Sequence, residues 1–144
     1  MKKKILIGLL VVFVIIQFFR IDKTNPRVDA TKDFINVNQT PDNITGILKT
    51  SCYDCHSYET KYPWYTNIAP VSWFVKHHIN EGREHLNFSE WGNYSAKDQA
   101  HASEECAEEV EEGEMPLTSY TLIHGDAKLS KEDKALLESY FESI

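Results

Sequence analysis

The chain has 144 residues, 42% of them hydrophobic and 26% charged, with three cysteines and a formal net charge of −7. Four of its 15 basic residues (Lys2, Lys3, Lys4 and Arg20) lie in the first 20 positions, while all 22 acidic residues lie beyond residue 21, leaving that part at −11. Such an excess of carboxylates argues against nucleic acid and anionic lipid surfaces as partners of that part as a whole and permits a basic protein partner, though a solvated, soluble surface is the simpler account. The length past residue 40 suffices for one small domain and not for two.

In chain order, Lys2-Lys3-Lys4 precede an apolar run from Ile5 to Phe19 that only Gly8 and Gln17 interrupt, and Arg20 follows. Positive charge before an apolar stretch is the pattern of an export signal, and no small-residue cleavage site closes it. Residues 1–21 are therefore expected to form an uncleaved, single-pass transmembrane anchor in the bacterial cytoplasmic membrane, with a removed signal peptide as the alternative. The remainder then lies on the periplasmic or outer side. Residues 22–39 are polar and without period, the expectation for a tether. Thr40-Pro41-Asp42 predicts a helix start, with Ile44, Ile47 and Leu48 on one face. Residues 57–68 are aromatic and irregular. Pro70 opens a second helix with Val71, Phe74, Val75, His78 and Ile79 on its apolar face. Ser95 with Asp98 predicts a third helix, running to about Glu112 and stopped by Gly113, with Ala100, Ser103, Cys106, Ala107 and Val110 on its narrow face. After a turn at 117–124, Ser130 with Asp133 caps a last helix that buries Leu136, Leu137, Tyr140 and Phe141. No strand alternation competes, so the domain at 40–144 is expected to be all-α.

Between the first two helices stands Cys52-Tyr53-Asp54-Cys55-His56, a C-x-x-C-H pentapeptide. Two thiols at this spacing can add across the two vinyl groups of one haem, and the adjoining histidine then serves as proximal ligand to the iron. A redox dithiol, half of a zinc site and a structural disulfide are the competing readings. Covalent attachment of haem c is completed outside the cytoplasmic membrane, the compartment that the N-terminus indicates.

The sixth iron position decides between electron transfer and chemistry on the metal. Apart from Met1 the chain has one methionine, Met115, placed just past the third helix and before Pro116. A thioether favours ferrous iron and raises the potential, so Met115 is the candidate distal ligand, with core filler as the alternative. His78 is the runner-up distal ligand. His77, His85, His101 and His124 read as surface or satisfied side chains. Arg83, the only arginine beyond residue 27, is a candidate contact to a haem propionate, against a surface ion pair with Glu84 or Glu90. Cys106 reads as a buried apolar residue, with an intermolecular disulfide as the alternative. The acidic run from Glu104 to Glu114 reads as the wet face of its helix.

The stretches Cys52–Ser57, Tyr62-Pro63-Trp64-Tyr65, Ile68–Trp73, Glu81–Trp91 and Glu112–Leu117 together closely resemble the bacterial haem-binding domain family. The resemblance spans about residues 40–143 and implies haem binding. The ending Gly113-Glu114-Met115-Pro116 also looks like the sixth-ligand region of class I cytochromes c, which implies a small cytochrome c-like helical domain. These readings converge on a membrane-anchored monohaem cytochrome that carries electrons to a redox partner and is not an enzyme. A haem-based sensor or peroxidase-like enzyme with an open sixth position is the alternative.

Overall fold

The computed structural model describes residues 1–144, and every regular element in it is helical. The α-helices are α1 (Lys2–Ile16), α2 (Phe34–Val37), α3 (Asp42–Ser51), α4 (Tyr53–His56), α5 (Val71–His85), α6 (Ala96–Glu112), α7 (Thr118–Thr121) and α8 (Lys131–Phe141). Short 3-10 turns at Trp64–Asn67, Phe88–Asn93 and Gly125–Ala127 join them. The all-α expectation holds.

Local capping chemistry sets the longer helices. The Ser95 hydroxyl accepts from the Asp98 N–H at the start of α6. Ser130 and Asp133 form a reciprocal capping box on α8, satisfying amides that the first turn leaves unpaired. At the other end of α6 Gly113 takes φ +79°, the left-handed stop that glycine adopts without steric cost. The predicted Thr40 cap does not form. Pro41 is the N-cap of α3, and the Thr40 hydroxyl lies 2.9 Å from the Tyr140 hydroxyl, joining the start of α3 to α8.

Ten buried residues make the core: Phe34, Ile44, Leu48, Tyr53, Phe88, Trp91, Ala107, Val110, Leu137 and Phe141. Phe34 is its hub, 0% exposed, meeting Phe88 and Trp91 edge-on at 5.0 and 4.7 Å and Tyr140 and Phe141 at 6.2 and 6.0 Å. Residues 22–39 are therefore not a tether throughout. Asp33 accepts from the Tyr53 hydroxyl at 3.1 Å, and Lys32 accepts from the Gly92 N–H at 2.8 Å, so the packed domain begins before residue 40.

The N-terminal prediction also needs correction. α1 has 15 residues, about 22 Å of helix at 1.5 Å per residue, short of the roughly 30 Å bilayer core. No helix of the chain is long and apolar enough to cross a membrane. The helix ends early because Gln17 turns back on the domain. Its amide donates to the Ala69 carbonyl and accepts from the Ala69 N–H, both at 3.0 Å.

α5 keeps only part of its predicted face. Ile79 is buried as predicted, but Val71 and Phe74 are exposed, at 40% and 53%, while Ser72 and Gly82 turn inward. Small residues face in because α5 runs against the Cys55 loop: a Cβ on Gly82 would stand 3.1 Å from the Cys55 carbonyl oxygen.

Candidate functional site

Cys52 ends α3 and α4 adds a single turn, in which the Cys55 and His56 N–H groups both bond to the Cys52 carbonyl, at 3.2 and 3.0 Å. That turn brings positions 52, 55 and 56, spaced i, i+3 and i+4, to one side of the backbone. All three side chains line one cleft of about 490 Å³, within the usual size range of cofactor cavities, about 300–1,000 Å³. No disulfide joins the cysteines.

The turn is pinned from outside the cleft. Ser57 Oγ donates to the Tyr53 carbonyl, and Thr60 Oγ1 to the Asp54 carbonyl, each at 2.7 Å. Arg83 Nε donates to the Ser57 carbonyl at 2.7 Å, and its Nη2 to Asn25 Oδ1 and Thr60 Oγ1 at 3.0 and 2.9 Å. Arg83 does not line the cleft, and these donors go to loop oxygens and not to Glu84 or Glu90, so Arg83 positions the loop that leaves His56.

His56 Nδ1 lies 3.2 Å from the Leu86 carbonyl oxygen. A carbonyl can only accept, so Nδ1 carries the proton and Nε2 keeps its lone pair. Burial lowers the ring's pKa, favouring the neutral form that ligates metals. Fixing one ring nitrogen through a backbone carbonyl is how proteins orient a metal-binding histidine.

Met115 reaches the same cleft from the far end of α6. Its N–H and that of Glu114 both bond to the Glu109 carbonyl at 3.1 Å, beyond the Gly113 stop. Lys134 of α8 donates to the Val110 carbonyl at 3.1 Å and steadies that helix end. Met115, Pro116, Leu117 and Tyr120 line the cleft in succession. Tyr120 donates to Asp54 Oδ2 at 2.9 Å, and its ring stacks on His124 at 4.3 Å. His124 Nε2 in turn lies 2.5 Å from the Tyr65 hydroxyl. The segment carrying Met115 is thereby tied to the C-x-x-C-H turn through the variable Asp54 inside the motif.

His78 also lines the cleft, with Nδ1 2.9 Å from the Phe74 carbonyl, which leaves its Nε2 free in the same way as that of His56. His77, His85 and Cys106 line it too. Sequence reasoning placed the two histidines outside the site, although both share α5 with His78 at positions i−1 and i+7. Glu81, Glu105 and Glu109 add three carboxylates to the lining.

The competing chemistries fit less well. Burial pushes the Cys52 thiol up to about 12 and the Cys55 thiol up to about 11, opposite to the lowered pKa that activates a redox dithiol. No three His, Cys, Asp or Glu side chains gather as a metal-ion site, so the zinc reading lacks its ligands. A half-open cleft with two thiols, an oriented imidazole, a thioether and apolar walls from Leu86, Phe88, Val110 and Leu117 suits a flat macrocycle bound through its edge and its metal.

The sequence matches the family model of the haem-binding domain over residues 11–143. No curated protein and no solved structure matches it.

Proposed function

The chain belongs to the haem-binding domain family, and we propose that it is a monohaem c-type cytochrome. Cys52 and Cys55 hold the haem by thioether bonds, His56 Nε2 is the proximal ligand and Met115 the distal one. The reading rests on one observation above the others: Cys52, Cys55, His56 and Met115, which come from two separate parts of the chain, line a single cleft. When bound, the haem supplies a one-electron couple. The chain's own work is to hold His56 in the tautomer that presents Nε2, to keep water away with Phe88, Val110 and Leu117, and to supply a soft ligand from Met115.

With both axial positions filled, the protein carries electrons and does not transform a substrate. Glu81, Glu105 and Glu109 at the cleft favour a basic redox partner. The lysine-led apolar N-terminus supports export, with residues 2–19 keeping the chain attached at the outer face of the cytoplasmic membrane. A second ligation, His56 with His78, has its own support in the free Nε2 of His78.

Carbon monoxide binding by the ferrous protein tests these assignments. Wild type should bind it poorly, and Met115→Ala should bind it readily and turn high-spin in the ferric form. His78→Ala should resemble wild type. The reverse pattern would establish bis-histidine ligation, and ready binding by wild type would favour a sensor or peroxidase-like enzyme over a carrier.

A further inference from the structure

α1 buries none of its side chains, and the exposed apolar surface does not stop where it ends. Phe18 and Phe19 continue it, followed on the domain by Ile68, Val71, Trp73 and Phe74, all exposed. The two parts are joined by hydrogen bonds: the paired Gln17–Ala69 contacts, and Trp73 Nε1 donating to the Phe19 carbonyl at 2.8 Å. The Trp73 ring therefore has its one polar atom satisfied by the end of the apolar segment while 39% of the residue stays exposed.

Cations border this surface. Lys23 Nζ donates to Asn67 Oδ1 at 2.6 Å, and Lys23 and Lys76 each stand 6.0 Å from the Tyr62 ring centroid. Arg20 lies between Phe19 and Lys23 in the chain, and Asp22, whose carboxyl is held low chiefly by hydrogen bonds from Thr24 and less by nearby Lys76, is the acidic residue among them. The chain's acidic excess is concentrated elsewhere, in the run from Glu104 to Glu114. An apolar face carrying aromatic rings and edged by lysine and arginine is the composition of a membrane–water interface.

We propose that the folded domain itself rests on the lipid bilayer through Ile68, Val71, Trp73 and Phe74, with Arg20, Lys23 and Lys76 on the phosphate headgroups. This rests on the attachment of residues 2–19 to a membrane and goes beyond it, because a domain on a loose lead would touch lipid nowhere else. It also sets the cleft near the surface: Glu81 lies seven residues along α5 from Phe74, about 10 Å of helix.

The test reconstitutes the full-length holoprotein into vesicles of phosphatidylcholine and phosphatidylglycerol that contain a lipid with an acyl-chain diazirine. After illumination, trypsin releases the peptide 62–76, which carries the proposed face, and the peptide 98–128, which carries the acidic helix. Lipid adducts should be several-fold more abundant on 62–76, and Trp73→Ser with Phe74→Ser should lower them several-fold without removing the protein from the vesicles. Lys23→Ala and Lys76→Ala, the latter read on the peptide 62–83 because it removes the cleavage site at 76, should each lower the extra labelling that phosphatidylglycerol confers by a factor of about five, as expected for one cation at an anionic surface. Equal labelling of the two peptides, or labelling confined to residues 5–19, would overturn the docking while leaving attachment intact. A chain that does not sediment with vesicles would overturn both. Self-association through 62–76 in lipid-free buffer that excludes lipid labelling would overturn it in favour of a second copy of the chain.

Discussion

Asp33 sits in the core with one carboxylate oxygen accepting from the Tyr53 hydroxyl and from the Ile35 N–H, and the other, Oδ2, buried without a partner. Burial raises its pKa above the ordinary 3.8, outweighing the hydrogen bonds that lower it. A carboxyl whose folded pKa is raised favours the fold while protonated. Its contribution is complete below the ordinary pKa and is lost as pH rises through the folded value. Asp33→Asn keeps the Oδ1 acceptor and removes the charge, so at pH 7 it should stabilise the protein by about 1–2 kcal/mol. That gain should shrink on acidification in paired denaturant titrations; a destabilised variant at every pH would contradict it. Arg83 gives a second test at this scale. Arg83→Lys loses the fork to Ser57, Asn25 and Thr60, and should lower the unfolding midpoint while leaving the haem spectrum unchanged. A spectral shift would return Arg83 to the cofactor. Its partners lie 23, 26 and 58 residues away, and for that reason no local pattern revealed them. The two thiols and His56 were legible because their spacing is set by bond lengths within one turn.

Among the elements, the caps at Ser95 and Ser130 and the Gly113 stop could be read directly, since each depends on residues at most four apart. Thr40 could not, because its hydroxyl meets Tyr140, 100 residues later. α2 was missed because Phe34, Ile35 and Val37 make too short an apolar cluster to show a helical period; Asp33 caps it locally, and the burial of Phe34 depends on the tertiary core. Gly113→Ala should cost about 1–2 kcal/mol from the left-handed backbone alone, read as a lower unfolding midpoint. The link between α4 and α7 is more directly functional. Tyr120→Phe removes the hydrogen bond to Asp54 that ties the Met115 segment to the C-x-x-C-H turn. It should leave haem attachment intact and raise the carbon monoxide affinity of the ferrous protein several-fold, toward that of Met115→Ala. An unchanged affinity would show that the segment needs no such tie.

For the whole molecule, the acidic surface makes ionic strength informative: electron exchange with a basic partner should slow steeply as salt screens the encounter. A salt-independent rate would exclude electrostatic steering. If residues 2–19 hold the protein to a membrane, attachment should survive high-salt washing, because salt does not screen apolar contact. All of this depends on how the haem is held, and covalent attachment is the claim most open to a single measurement. Protein matured with the c-type haem machinery should keep its haem through denaturation and acid–organic extraction. Intact mass spectrometry should show one haem added to the polypeptide, and the Cys52→Ala, Cys55→Ala double variant should show none. Complete release of haem from the wild-type chain, with no adduct in the mass spectrum, would contradict the account.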